Sequence, residues 1–122
     1  MPKIILAASK KFEDVEKFNE TLSAYLLLWP NQKITLLVPF NELHTLKMAM
    51  KFASLKEKGL ICVAAFSANP SLENNKEILH EMLAKEGDRC ICFLASDSKT
   101  SFKALEKSCI LRNKPISIIR AA

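Results

Sequence analysis

Short runs of almost purely apolar residues alternate along this chain with longer segments in which apolar residues recur every three or four positions. The first run is Lys3–Ala8, and the segment after it carries an apolar stripe formed by Val15, Phe18, Leu22, Tyr25, Leu26 and Trp29. A continuous apolar run is typical of a strand buried on both faces, and the longer spacing is typical of an amphipathic helix. The chain therefore predicts strands that alternate with helices.

This pattern predicts five strands and four helices. We expect strands over Lys3–Ala8, Lys33–Val38, Leu60–Ala65, Arg89–Ala95 and Pro115–Ile119, and helices over Glu13–Leu28, Asn41–Lys58, Pro70–Lys85 and Thr100–Asn113. We expect Asn41 to be an N-cap, and Gly59 and Gly87 to end the helices before them. The residues expected to face the sheet are Leu43, Leu46, Met50 and Ala53 on the second helix, Leu72, Ile78, Leu79, Met82 and Leu83 on the third, and Phe102, Leu105, Cys109 and Leu111 on the fourth.

Strands separated by helices pair in parallel through right-handed crossovers. We therefore expect one α/β domain over residues 1–122, a three-layer Rossmann-like sandwich around a five-stranded parallel sheet of order 3-2-1-4-5. In such a sheet, ligands bind at the carboxyl ends of the strands where the order reverses, here between the first and fourth strands.

Two polar clusters follow these two strands, and they are the candidate ligand-binding residues. The first comprises Ser9, Lys10 and Lys11, and the second comprises Ser96, Asp97, Ser98, Lys99, Thr100 and Ser101. Hydroxyls, cations and free N–H groups at a helix start suit phosphate or ribose, although one of Asp97, Ser98 or Thr100 is also expected to act as an N-cap. The two glycines form neither a GxGxxG nor a Walker A loop, which argues against a standard dinucleotide or triphosphate site.

Charge and composition narrow the class of protein. The net charge of +5 favours a phosphate-bearing partner, although cations near helix ends also offset the helix dipole. The sequence has no aromatic stacking platform and no recognition helix, which argues against nucleic acid as the partner. The chain is 49% hydrophobic, which argues against disorder, and no apolar run is long enough to span a membrane or act as a signal peptide. We expect a cytoplasmic protein.

The cysteines and acid–base residues offer little chemistry. Cys62, Cys90, Cys92 and Cys109 all fall in apolar segments and are expected to be buried, reduced thiols, without a disulfide or a metal site. Asp97 stands alone unless Glu13 or Asp14 approaches it, and His80 lies between Glu77 and Glu81 at spacings typical of a solvated helix face. We therefore expect no catalytic residues, no metal and no resident cofactor.

Taken in order, these pieces resemble the SLOG superfamily of Rossmann-like nucleotide-binding proteins, and its small YspA-like branch in particular. Ala8-Ser9-Lys10-Lys11-Phe12 is similar to the Gly-Ser-Arg-x-Phe motif of that branch. Asn75 matches the second residue of its Arg-Asn pair, and Ser98–Ser101 and the Pro115-led strand match its polar turn and final strand. The resemblance implies a nucleotide-type ligand, Asn75 among its contacts, and a homodimer.

One segment departs from the branch. The resemblance implies a Gly-Gly-Ala-Arg-Gly-Ala-Asp loop after the second strand, near the phosphates, whereas this chain has Pro39-Phe40-Asn41-Glu42-Leu43-His44-Thr45. The pocket is therefore expected to be reshaped or lost.

Three hypotheses follow. The first is non-catalytic binding of a nucleotide or a nucleotide-derived small molecule. The second is an interaction module that binds another protein or its own copy as a homodimer, with Pro39-Phe40 and apolar residues near Leu43 or Met48 as its surface. The third is a small nucleotide hydrolase or transferase.

Overall fold

The computed structural model describes residues 2–9, 11–30, 32–40, 42–56, 59–66, 82–95 and 102–120. Its strands are β1 (Lys3–Ala8), β2 (Ile34–Pro39), β3 (Ile61–Phe66), β4 (Arg89–Leu94) and β5 (Ile116–Arg120). Its helices are α1 (Val15–Leu26), α2 (Leu43–Ser54), the described part of α3 (82–86) and α4 (Lys103–Leu111).

The strands form one sheet of order β3-β2-β1-β4-β5, and every neighbouring pair is parallel. This confirms the predicted α/β fold and its strand order. The order reverses between β1 and β4, which pair from Ile4↔Arg89 to Ala8↔Phe93. Because these two strands are central, their carboxyl ends lie side by side at one edge of the sheet.

Apolar cores cover both faces of the sheet, as alternate strand residues point to opposite sides. On one face, Phe18 and Leu22 of α1 and Ala49 and Phe52 of α2 join a cluster that includes Ile4 and Phe93. On the other face, Leu83 of α3 and Leu105 and Cys109 of α4 pack with Ile5, Ala7, Cys90 and Cys92. The result is the three-layer arrangement.

Both predicted ends of the second helix, α2, are wrong. The N-cap of α2 is Glu42, not Asn41, and the helix ends at Ser54 with Leu55 as its C-cap. Gly59 does have a left-handed φ of 82°, but it lies in the turn before β3 and does not directly follow α2. The predicted helix was therefore too long at its carboxyl end, because Leu55 and Lys56 continue the pattern of apolar and basic residues without forming helix.

Gly87 follows α3 for a different reason from the one predicted. It is not in the left-handed region; instead, a Cβ at this position would lie 2.3 Å from Ile5 Cγ1. Close approach of the chain to β1 thus requires glycine here. The left-handed residue at a helix end is Asn113, with φ 55°, after α4.

The apolar face predicted for α2 is also wrong in part. Thr45, Ala49 and Phe52 are its buried residues, whereas Leu43 and Met50 are 67% and 61% exposed. Leu46 and Ala53 are partly buried. Smaller corrections of the same kind apply to the other helices, where Val15, Met82 and Leu111 are exposed.

The cysteines divide into two groups, so the expectation of four buried thiols needs one correction. Cys62 is exposed because β3 is an edge strand, whereas Cys90, Cys92 and Cys109 are buried, and all four are free. The Cys90 and Cys92 sulfur atoms are 3.8 Å apart on one face of β4. Hydrogen bonds to Cys109 and Cys92, together with burial, raise the pKa of the Cys90 thiol.

Candidate functional site

The carboxyl ends of β1 and β4 meet as the sequence predicted. The ladder between the two strands continues one residue beyond β1, since the Ser9 N–H donates to the Phe93 carbonyl at 2.9 Å. Strand order and direction therefore place Ser9 and Ala95, which directly follow β1 and β4, at a switch point of the sheet, where ligands bind in open α/β folds.

Ser9 is buried at this point, with 2% of its surface exposed. Its hydroxyl oxygen accepts a hydrogen bond from the Ala95 N–H at 3.0 Å. The side chain thus joins the end of β1 to the residue that follows β4. A serine hydroxyl that accepts one bond keeps a hydrogen that it can donate.

A tight turn follows Ser9 and presents a cation. The Phe12 N–H donates to the Ser9 carbonyl at 3.0 Å, and Lys11 lies in the turn that this bond closes. The Phe12 ring is buried, with its centroid 5.2 Å from that of Phe93. Both ends of the turn are therefore fixed, while Lys11 within it is exposed.

Glu42, at the start of α2, contributes a carboxylate to the same edge of the sheet. Its Oε1 atom accepts hydrogen bonds from the Ala8 N–H and from the Thr45 hydroxyl, both at 2.9 Å. An anion therefore lies beside the last residue of β1. Because like charges repel, a ligand phosphate is disfavoured at the Ala8 amide.

His44 closes the cluster from the α2 side. Its Nε2 atom lies 2.9 Å from the Ser9 carbonyl oxygen. A carbonyl can only accept, so Nε2 carries the hydrogen in this arrangement. The Ser9 carbonyl consequently accepts from both Phe12 and His44, so Ser9 is hydrogen-bonded to Phe93, Phe12, His44 and Ala95.

Most residues of the predicted site cannot be placed. Ser9 and Lys11 lie together at the switch point, and their contact with a ligand stays a prediction. Lys10, Asn75, Ser96, Asp97, Ser98, Lys99, Thr100 and Ser101 lie outside the described residues.

The structure adds Glu42 and His44, which sequence reasoning had quoted only as part of the altered loop. The available signal was their position: they directly follow β2, the neighbour of β1, and carboxyl ends of parallel strands share one edge of a sheet. Polar residues after β2 were therefore candidates as much as those after β1 and β4.

The described part of the chain has neither a cluster of metal ligands nor a membrane-spanning helix. No group of three or more His, Cys, Asp or Glu side chains there could hold a metal ion. None of its helices has the length and apolar character needed to cross a bilayer.

Comparisons of this chain with protein-family models, with curated proteins and with solved structures found no match. The resemblance to the SLOG superfamily therefore stays a prediction, carried by the short motifs described above.

Proposed function

We propose that this protein binds a nucleotide or a nucleotide-derived small molecule, without reacting with it, at the carboxyl ends of β1 and β4. The observation that carries the proposal is the turn at Ser9–Phe12, which is fixed at both ends and presents Lys11 beside the switch point. A fixed turn that presents a cation lowers the entropic cost of holding an anionic group.

The charges around this turn suggest how a nucleotide would lie. Lys11 supplies a positive charge, whereas Glu42 supplies a negative one beside Ala8. Phosphate is therefore expected near Lys11, and hydroxyl or amino donors of a ribose or base are expected near Glu42. Without a glycine-rich loop, the site favours few phosphates over a triphosphate.

The non-catalytic part of the proposal is supported by the bonding of the polar side chains. His44 donates to a backbone carbonyl, and Glu42 accepts from Ala8 and Thr45. These contacts are typical of groups that hold a loop in place. All four cysteines are free of disulfides, and we propose a cytoplasmic location, where thiols are kept reduced.

Thermal unfolding in the presence of a panel of nucleosides, nucleotides and NAD-derived metabolites tests this proposal. A ligand present at a hundred times its Kd is expected to add about 2.7 kcal/mol to the free energy of unfolding. Lys11→Ala should weaken binding of a phosphate-bearing ligand about tenfold, or ~1.4 kcal/mol. Lys33→Ala is the matched control, because Lys33 is an exposed lysine that precedes β2, at the opposite edge of the sheet.

Equal losses in Lys11→Ala and Lys33→Ala would place the ligand elsewhere. The absence of any stabilisation by any member of the panel at millimolar concentration would remove the proposal.

A second candidate function is self-association, in which the domain acts as an interaction module and forms a homodimer. The observation that favours it is the exposure of Leu43 and Met50 on α2, with Leu55 also 64% exposed beyond its end. Leu43 and Met50 are seven residues apart and therefore share one face of α2, and large apolar side chains grouped on one surface are typical of an interface.

A further inference from the structure

In the described part of the chain, β3 is an edge strand of the sheet. β2 pairs with β3 over all six residues from Ile61 to Phe66, and no strand in the described part of the chain pairs with the other edge. The strand sequence is Ile-Cys-Val-Ala-Ala-Phe, without a charge or a proline. Natural proteins protect such edges with charges, proline or a cover, because a free edge pairs with other strands.

The opposite edge strand, β5, shows the usual protection. It has five residues, follows Pro115 directly and ends in Arg120, which is exposed. Proline before a strand and a charge within it are both devices that discourage pairing. The contrast between the two edges indicates that β3 is the edge adapted to a partner.

An apolar groove runs along the same side of the molecule. It has a volume of about 640 Å³ and lies between α2 and β3, lined chiefly by Leu46, Met50, Ala53, Ile61, Val63 and Ala65. Met50 and Ala65 are exposed there, so the groove opens beside the free strand edge. A partner strand at that edge would cover apolar surface as well as backbone groups.

We propose that the outer edge of β3 pairs antiparallel with β3 of a second copy of this chain, so that the two sheets become continuous. The inference deepens the self-association named above as the second candidate function and rests on it. Only an extended strand satisfies the alternating N–H and C=O groups of an edge. An uncharged strand can face its own copy without opposing like charges.

The positive charge of Lys56, which precedes β3, also favours an antiparallel arrangement with a second copy. Lys56 precedes β3, with its Nζ 3.4 Å from the Ser23 hydroxyl. Antiparallel pairing places the two Lys56 side chains at opposite ends of the interface, whereas parallel pairing would bring them together. A two-fold axis generates this geometry and closes the assembly at two copies.

The symmetry also restricts the register. A two-fold axis perpendicular to the sheet keeps both α2 helices on the same face of the continuous sheet. Residues directly opposite each other across the interface must then have side chains on the same face of the sheet. The axis then passes beside one residue of the strand and not between two. Central overlap of the six-residue strand places it at Val63 or at Ala64.

Light scattering during size-exclusion chromatography of wild-type, Ala65→Lys and Ile118→Lys tests the surface. Both substitutions add a lysine at an exposed position of an edge strand, Ala65 on β3 and Ile118 on β5. We expect a dimer for wild-type and for Ile118→Lys. We expect Ala65→Lys to be a folded monomer, with dimerisation weakened by at least about tenfold.

Each other outcome overturns the proposal. A dimer that survives Ala65→Lys, or that is lost equally in Ile118→Lys, would keep self-association but move it to another surface. A wild-type monomer at the highest soluble concentration would remove self-association altogether. Circular dichroism shows whether each variant remains folded.

Cysteine crosslinking tests the register independently. In a Cys62→Ser background, Val63→Cys and Ala64→Cys are oxidised and separated without reductant, with Ile118→Cys as the control on β5. Facing residues on antiparallel strands come close enough for a disulfide only at the axis. We expect a linked dimer from one of the two β3 variants and none from Ile118→Cys; a dimer that neither β3 variant links contradicts the pairing.

Discussion

Ser9 shows how one hydroxyl can hold two strands together. It lies just beyond β1, is almost fully buried, and accepts the N–H of Ala95 just beyond β4. Parallel strands tend to separate where their ladder ends, because the next backbone groups lose their partners. The hydroxyl replaces one such partner and keeps the switch point in a defined shape.

Replacement of Ser9 by alanine should therefore cost stability. Ser9→Ala leaves the buried Ala95 N–H without its acceptor, and an unsatisfied buried donor costs about 1–3 kcal/mol. The free energy of unfolding from urea denaturation measures the loss. The control is Ser54→Ala, at an exposed serine that bonds only a carbonyl of its own helix and should change stability by less than about 0.5 kcal/mol. Equal effects would show that the Ser9 bond does not stabilise the fold.

Cys90 should make stability depend on alkaline pH. Hydrogen bonds to Cys109 and Cys92, and burial, raise its pKa in the folded state. A cysteine in the unfolded chain has a pKa of about 8.5 and therefore loses its proton near that pH. At Cys90 the folded state then holds more protons than the unfolded state, so this contribution to stability is full below that pH and falls as pH rises, by up to about 1.4 kcal/mol per unit. The hydrogen bond from Cys90 lowers the pKa of Cys109, and the opposite contribution of Cys109 is complete above about pH 8.5, so the fall is measured above that pH.

A comparison of Cys90→Ala with wild-type isolates this contribution. The variant loses stability at every pH through the lost packing, but its further loss between about pH 8.5 and about pH 10 should be smaller than that of wild-type. Cys62→Ala, at the exposed cysteine, is the control and should retain the wild-type slope. Parallel slopes for wild-type and Cys90→Ala would contradict the assignment.

At the scale of elements, the passage from α3 into β4 depends on a glycine. Gly87 packs so closely on β1 that an added Cβ would lie 2.3 Å from Ile5 Cγ1 and 2.4 Å from Ile5 Cδ1. Gly87→Ala should therefore push α3 away from the sheet, at a cost of about 1–3 kcal/mol. Urea denaturation measures the change.

Gly59→Ala provides the comparison for that glycine. A Cβ at position 59 would meet open space, so the expected loss of stability is only the strain of a left-handed alanine, about 1 kcal/mol. A loss in Gly87→Ala no larger than that in Gly59→Ala would show that Ile5 moves aside freely.

The helix α2 shows why local patterns do not fix every face. Its sequence has apolar residues around most of its circumference, so the stripe of Leu43, Leu46, Met50 and Ala53 was as regular as the true one. The buried stripe is Thr45, Ala49 and Phe52, and it includes a polar residue. Thr45 is tolerated there because its hydroxyl donates to Glu42, a contact between residues that no periodicity reveals.

At the scale of the whole molecule, the topology was predictable because it follows general rules. Alternating strands and helices leave few arrangements once crossovers are right-handed, and the observed order β3-β2-β1-β4-β5 is the expected one. The same rules located the switch point and brought Ser9 and Lys11 to it. Glu42 and His44 follow β2 at the same edge of the sheet and could have been named as candidates, but their contacts with Ala8 and Ser9 depend on how α2 sits against β1.

The most direct test of ligand binding at the switch point is a map of backbone amide shifts by nuclear magnetic resonance during titration with the panel member that stabilises the protein most. We expect the largest shifts at Ser9, Lys11, His44 and Ala95. Amides at the opposite edge of the sheet, Lys33 and Ile116 among them, should remain unchanged. Shifts concentrated at that opposite edge, or along β3, with the switch-point amides unmoved, would contradict the proposed site.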